Sequence, residues 1–294
     1  YSSGILRLGR FTIKTPFMNP QDGRMIPTIQ QGLWWKQSLG SHHLVEVYGI
    51  NAIAPRSTDA FFDIGRSIGT YPMGRNVDIS PGDYGEGKTE SDFVLIGHYR
   101  TQYQGLKLDL WNYHVDNVFN LSYAQLGWDK ALSSHHKISL AGQYLYQNRV
   151  GQGGNADPSL RYYQQESAQV WGFKAAHHYR SNTFSIAYNR VADAGRFLFP
   201  REWGRESLFT FQKRERTEGQ ADAHNLLLEF AKQHDFGKQG QLRYKLGYGF
   251  YQWQDVKAVA KNKNGMPAHE QINIEVCYKL TWKSKNLQLK FLMA

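Results

Sequence analysis

The chain has 294 residues and a single cysteine, Cys277, which excludes both a disulfide framework and a thiolate zinc site. It has no run of 18 apolar residues, so no segment can cross a bilayer as a helix. Blocks of one charge are absent too. Lys and Arg number 35 against 25 Asp and Glu, a formal net charge of +10, but these charges are scattered singly along the chain. That spacing argues against a nucleic-acid patch and for the lining of an aqueous channel. Nor does Tyr1 open a charged and then apolar leader, so any export signal lies outside this sequence.

What is present is alternation with a period of two. From Ile272 to Trp282, the residues Ile272, Ile274, Val276, Tyr278, Leu280 and Trp282 share one face, while Asn273, Glu275, Lys279 and Thr281 share the other. Thirteen such segments are read at 4–11, 29–38, 42–53, 92–103, 105–116, 119–131, 135–149, 168–180, 183–193, 223–235, 241–255, 270–283 and 286–294. Most reach the 9 to 11 residues that a tilted strand needs to span a membrane. The average hydropathy is that of a soluble protein, which a barrel reconciles because only every second residue meets lipid. Eighteen Tyr, sixteen Phe and eight Trp supply material for interfacial aromatic girdles. The fold class expected is all-β, an antiparallel transmembrane β-barrel forming one unit over 1–294. A soluble β-sandwich fits less well, because the strands are too long for it.

The connections sort by length. Short turns at 39–41, 104–105, 133–134, 181–182, 235–240 and 283–285 follow the even strands, and long loops at 12–28, 54–91, 151–166, 192–223 and 256–270 follow the odd ones. Only 116–119 breaks the pattern. Short periplasmic turns and long extracellular loops are the rule for outer-membrane barrels. An odd strand count then implies that at least one strand follows Ala294 and that an even number precedes Tyr1.

The segment GILRLGRFTIKTPFMNPQDGRMIPT, from Gly4 to Thr28, resembles the OprD family of substrate-specific outer-membrane porins through Gly9, Pro16, Asp22, Arg24 and Pro27. The resemblance implies an eighteen-stranded barrel in the outer membrane of a Gram-negative bacterium. It also implies that loop 12–28 lies between the fifth and sixth strands and folds inward to narrow the pore. Four strands before, thirteen here and one after make eighteen, in agreement with the parity of the loops. Within that loop, Asp22 and Arg24 are either turn and anchoring groups or solute contacts.

With the apolar face toward lipid, the opposite face carries Arg7, His98, Arg100, Lys107, Asp109, Lys137, Gln143, Lys174, His178, Arg180, Arg243, Lys245, Glu275, Lys279 and Lys290. Basic groups outnumber carboxylates, and rows of Lys and Arg in a low-dielectric wall attract anions. The resemblance implies a basic ladder that guides carboxylate-bearing solutes, for which the Arg fork is well shaped. Taken singly, each cation has a plainer role, as a solvated wall residue paired with Asp109, Glu229 or Glu275.

Eleven histidines raise the question of a metal or an enzyme. His42-His43, His135-His136 and His177-His178 are adjacent pairs, and neighbours on a strand point to opposite faces, so neither pair member can join the other on one ion. The barrel-phospholipase pattern, His-x-Ser-Asn-Gly, does not occur, and the glycines of 151–155 open no helix that would cradle phosphate. The function expected is passive, selective uptake of small anionic or carboxylate-bearing solutes, with no catalytic residue, metal or cofactor. Its partners would be outer-membrane lipid, the solutes, and a second copy or an envelope complex. The alternatives are a structural or binding barrel and a phospholipase-like enzyme.

Overall fold

A computed structural model describes residues 4–21, 25–70, 88–213, 215–237, 240–254, 267–282 and 285–293. The strands are β1 (Gly4–Phe11), β2 (Ile29–Leu39), β3 (His43–Ala54), β4 (Phe62–Asp63), β5 (Val94–Tyr103), β6 (Leu106–Val115) and β7 (Phe119–Ala131). They continue as β8 (His136–Arg149), β9 (Ser167–Tyr179), β10 (Asn182–Val191), β11 (Ala223–Asp235), β12 (Gln241–Gln252), β13 (His269–Trp282) and β14 (Lys285–Met293). All belong to one antiparallel sheet in chain order, except that the two-residue β4 pairs with β3 off the main path. The long strands are those the alternation predicts, to within three residues at each end. The alternation missed β4 and the one-turn helix α1 (Ile64–Ser67), both inside a loop and too short to carry a period.

The register gives the two faces different neighbours. Leu6, Leu8, Leu95, Leu126, Phe173, Phe184, Leu246, Leu289 and Phe291 stand exposed on the convex side. Each would forfeit about 1.5–3 kcal/mol if left in water rather than buried, so a face this apolar is stable only against lipid. On the concave side Ile50, Ile96, Tyr113, Leu121, Leu145 and Val170 are buried. No helix among the described residues is long and apolar enough to cross a membrane; the strands do the spanning.

The concave side is covered by loops. Phe17 and Met18 from loop 12–28, and Phe197, Leu198, Phe199 and Trp203 from loop 192–222, join the inward residues in one buried cluster. The sequence reading left 192–223 as an ordinary extracellular connection; residues 192–222 pack inside because their run of large apolar side chains has no other place to be buried. The short connection at 116–118 is explained by its surroundings. Asn117 adopts a left-handed φ of 57°, donates to the Glu90 carbonyl at 3.2 Å and accepts from Gln152 N at 2.9 Å, tying together the two longer loops that flank it.

Candidate functional site

Loops 12–28 and 192–222 are joined by main-chain and side-chain hydrogen bonds. Asn19 N donates to the Trp203 carbonyl at 3.1 Å, Asn19 Nδ2 to the Arg205 carbonyl at 2.9 Å, and Gln21 Nε2 to the Arg201 carbonyl at 2.6 Å. Thr28 Oγ1 donates to the Glu202 carbonyl at 3.2 Å, and Trp203 Nε1 reaches Ser67 Oγ at 2.7 Å, which draws α1 into the same assembly. The approach is close enough to require glycine at 204, where a Cβ would collide with the Phe17 carbonyl. Phe17 is the hub, with ring centroids 5.6 Å from Tyr113, 5.3 Å from Tyr123, 5.7 Å from Phe197 and 5.4 Å from Phe199. Pro16 and Pro27 are half-buried within the loop, where a fixed φ lowers the entropy lost on docking. Asp22 and Arg24 lie outside the described residues.

On the wall facing these loops, one polar and aromatic row crosses the strands. The Arg7 guanidinium lies 4.8 Å over Trp34, and Trp34 stacks on Tyr48 at 5.8 Å. The Tyr48 hydroxyl donates to Glu46 at 3.2 Å. His98, stacked on Trp111 at 3.6 Å, places Nδ1 2.8 Å from Glu46 and Nε2 3.0 Å from Asp109. Ionised carboxylates only accept, so the ring satisfies both by donating from both nitrogens. Arg100 Nε then donates to Asp109 at 2.6 Å. The four groups alternate in sign, Glu46, His98, Asp109, Arg100, and so compensate one another.

Of the remaining predicted wall cations, Lys137, Lys174, Lys245 and Lys290 are paired, three of them in clusters of two cations to one carboxylate. Lys174, at 3.5 Å, and Lys245 share Glu229; Lys290, at 2.8 Å, and the loop residue Lys213 share Glu275; Lys137 lies 3.4 Å from Asp129. Arg243, Lys245, Lys279 and Lys290 converge on a cavity of about 230 Å³ in which Glu275 is the only acid among the described residues. A larger cavity of about 550 Å³ lies between wall and loops, with Arg100, Lys107, Asp109, Trp111 and Tyr123 on one side and Lys14, Pro16, Asn19 and Arg205 on the other. Arg180 does not stand on the wall. Strand β9 ends at Tyr179, and Arg180 occupies the turn with φ 51° and its guanidinium 5.4 Å over the Tyr179 ring. The sequence reading missed Glu46, Lys14, Arg205 and Lys213. For the last two, the apolar content of loop 192–222 was the available signal.

Under the loops lies a layer of buried charge. Glu218 accepts from Phe199 N and Arg201 Nε, both at 3.1 Å, and Arg216 donates to Gln21 Oε1 at 3.0 Å. Burial pushes the Glu206 carboxyl above its ordinary pKa, opposed by the nearby Arg216 guanidinium. A pKa raised on folding contributes stability that is complete below the unfolded value and lost as pH rises through the folded one. Loop docking is therefore expected to resist proteolysis better at pH 5 than at pH 8 on account of this group. Glu206→Gln keeps an acceptor for Thr217 N, 2.8 Å away, and should flatten that dependence. Asp222, held low by its hydrogen bond from Arg190, acts in the opposite sense in both proteins, so the difference between them isolates Glu206. Identical pH profiles would contradict the assignment.

The comparisons agree with this geometry. A family model described as outer membrane porin, OprD family, matches residues 1–254. No curated protein matches the sequence. Among solved structures, OccD3 (OpdP) of Pseudomonas aeruginosa is 15% identical with a TM-score of 0.71, covering 99% of this chain and 69% of its own. OccK9 (OpdG) of the same organism is 13% identical with a TM-score of 0.76, over 98% and 67%. OccAB4 of Acinetobacter baumannii is 15% identical with a TM-score of 0.70, over 98% and 66%. At such identities the likeness speaks for the fold, the transmembrane β-barrel, while the family match over most of the sequence speaks for descent: the chain belongs to the OprD family of outer membrane porins, which are channels rather than enzymes.

Proposed function

We propose that this porin selects small anionic, carboxylate-bearing solutes, and that loops 12–28 and 192–222 together form the constriction at which selection occurs. The observation that carries the reading is the surplus of cations around the cavity between wall and loops. Among the described residues, Asp109 is the only carboxylate lining that cavity, and His98 and Arg100 already engage it. Among the described residues Lys14 and Lys107 have no ion-pair partner there, and Arg205 lies 5.4 Å over the Phe211 ring rather than on an acid. Below it, the two-to-one clusters on Glu229 and Glu275 each leave one positive charge in excess. Exposed ion pairs are individually weak, but a row of uncompensated charge in a low-dielectric wall acts over the whole water column. A carboxylate entering the cavity would meet Arg100 and Arg205, whose planar forks suit it, with Lys14 and Lys107 as point charges beside them.

In a planar bilayer under a salt gradient, the reversal potential is expected to report anion preference. It should be strongest near 0.01 M salt, where the Debye length is roughly 30 Å, and should fade toward 1 M, where it is roughly 3 Å. Lys107→Glu should reduce the preference at low salt. A cation-selective reversal potential in the unaltered channel would refute the proposal.

A further inference from the structure

The lipid-facing surface carries a feature that transport does not use. Across β8 to β12 the register places three outward rows about 7 Å apart. The innermost is Leu140, Ala175, Ile186, Leu228 and Tyr248; the next is Ile138, His177, Phe184, Phe230 and Leu246; the one at the short-turn rim is His136, Tyr179, Asn182, Lys232 and Tyr244. Ala175 is the only small side chain in the first two rows. Around it opens a groove of about 640 Å³ bounded by Ile138, Phe184, Ile186, Phe230, Leu246 and Tyr248.

This groove ends in polar groups. His136 Nδ1 and His177 Nε2 lie 3.0 Å apart, on rings stacked at 5.3 Å. Whichever ring donates in the pair, one outer nitrogen carries a hydrogen and can donate. Lys232 stands in the same rim row and has no ion-pair partner among the described residues, while Arg180 sits in the adjoining turn. The neighbouring carboxylates Asp129 and Glu229 face the lumen, where Lys137 and Lys174 hold them. The outward rim here is thus rich in donors and free of acid among the described residues.

We propose that this surface is a binding site for one anionic phospholipid of the inner leaflet, with an acyl chain in the Ala175 groove, the phosphate at the His136–His177 pair, and Lys232, three strands across the same rim, adding positive charge to the headgroup region. An apolar trough that reaches His177, itself paired with His136 at the rim, fits a diacyl phosphodiester. The absence of acid from the rim row and the row beside it, among the described residues, favours a headgroup that adds no cation of its own.

The test is native mass spectrometry of the full-length porin in non-ionic detergent, titrated with phosphatidylglycerol and, separately, with phosphatidylcholine of the same chains. Phosphatidylglycerol is expected to remain bound at lower concentration. Lys232→Gln should weaken it about fivefold, the worth of one cation at a membrane surface, and Ala175→Trp should weaken both lipids by filling the groove. Heat-modifiable migration confirms that each variant remains a folded barrel. Equal retention of the two lipids overturns the proposal. So does an effect in only one variant or in neither, since chain and headgroup would then not belong to one ligand.

Discussion

Phe17→Ala is expected to raise single-channel conductance and add current noise while leaving the barrel itself intact. Phe17 is fully buried and touches rings from two wall strands and from the second loop, so its removal leaves a cavity where loop and wall meet. Truncating a buried Phe costs about 3–5 kcal/mol. The hydrogen-bond ladders of the sheet do not depend on that ring, so the loss falls on the docking of 12–28 and 192–222, a local unfolding unit with its own stability. Since the Gly204 contact and the Asn19 and Gln21 bonds hold the two loops to each other, they should loosen as a pair. Faster proteolytic cleavage in both loops, at unchanged heat-modifiable migration, is the structural readout. Deleting 17–25 carries the same test to its limit. Unchanged conductance in both variants would place the constriction elsewhere.

Asp109→Ala should destabilise the barrel wall and at the same time increase anion preference. The His98 side chain is 1% exposed and needs Asp109 as well as Glu46, whereas Arg100 is 40% exposed and can turn to water. The energetic cost therefore lies on the His98 side of the network, where breaking a buried pair costs about 3–5 kcal/mol. Lys137→Ala provides the contrast: it faces Asp129 with both side chains largely exposed, and its loss should cost less than about 1 kcal/mol. Functionally, removing Asp109 frees Arg100 into the large cavity and deletes the only carboxylate that lines it among the described residues. Denaturant unfolding in detergent measures the first effect and the reversal potential at low salt measures the second. If Asp109→Ala were no more destabilising than Lys137→Ala, the network would be a solvated surface cluster and its role in fixing Arg100 would fall.

The sequence by itself determined the strands, their order and the chemistry of each face. These are legible because the side-chain period of two is local: Ile272, Ile274 and Val276 declare one face without reference to any other part of the chain. The same locality made Lys107, Lys174, Lys245 and Lys290 recognisable as inward. Even the ion partners Asp109, Glu229 and Glu275 could be named, because inward acids on neighbouring strands have few other options. Tertiary structure alone decided that loop 192–222 turns inward beside loop 12–28, since 192–222 has no period and its Phe197, Phe199 and Trp203 find their partners only beside Phe17 and α1. It also decided which cations remain uncompensated. Pairing depends on the register between strands and on Lys213 arriving from a loop, and neither can be read from one strand's alternation. The histidines make the same point in opposite ways. His135 lies in the turn before β8 rather than on a strand, so the period does not govern it, whereas His136 and His177, 41 positions apart, come within hydrogen-bond distance because β8 and β9 pair in the register that brings them together.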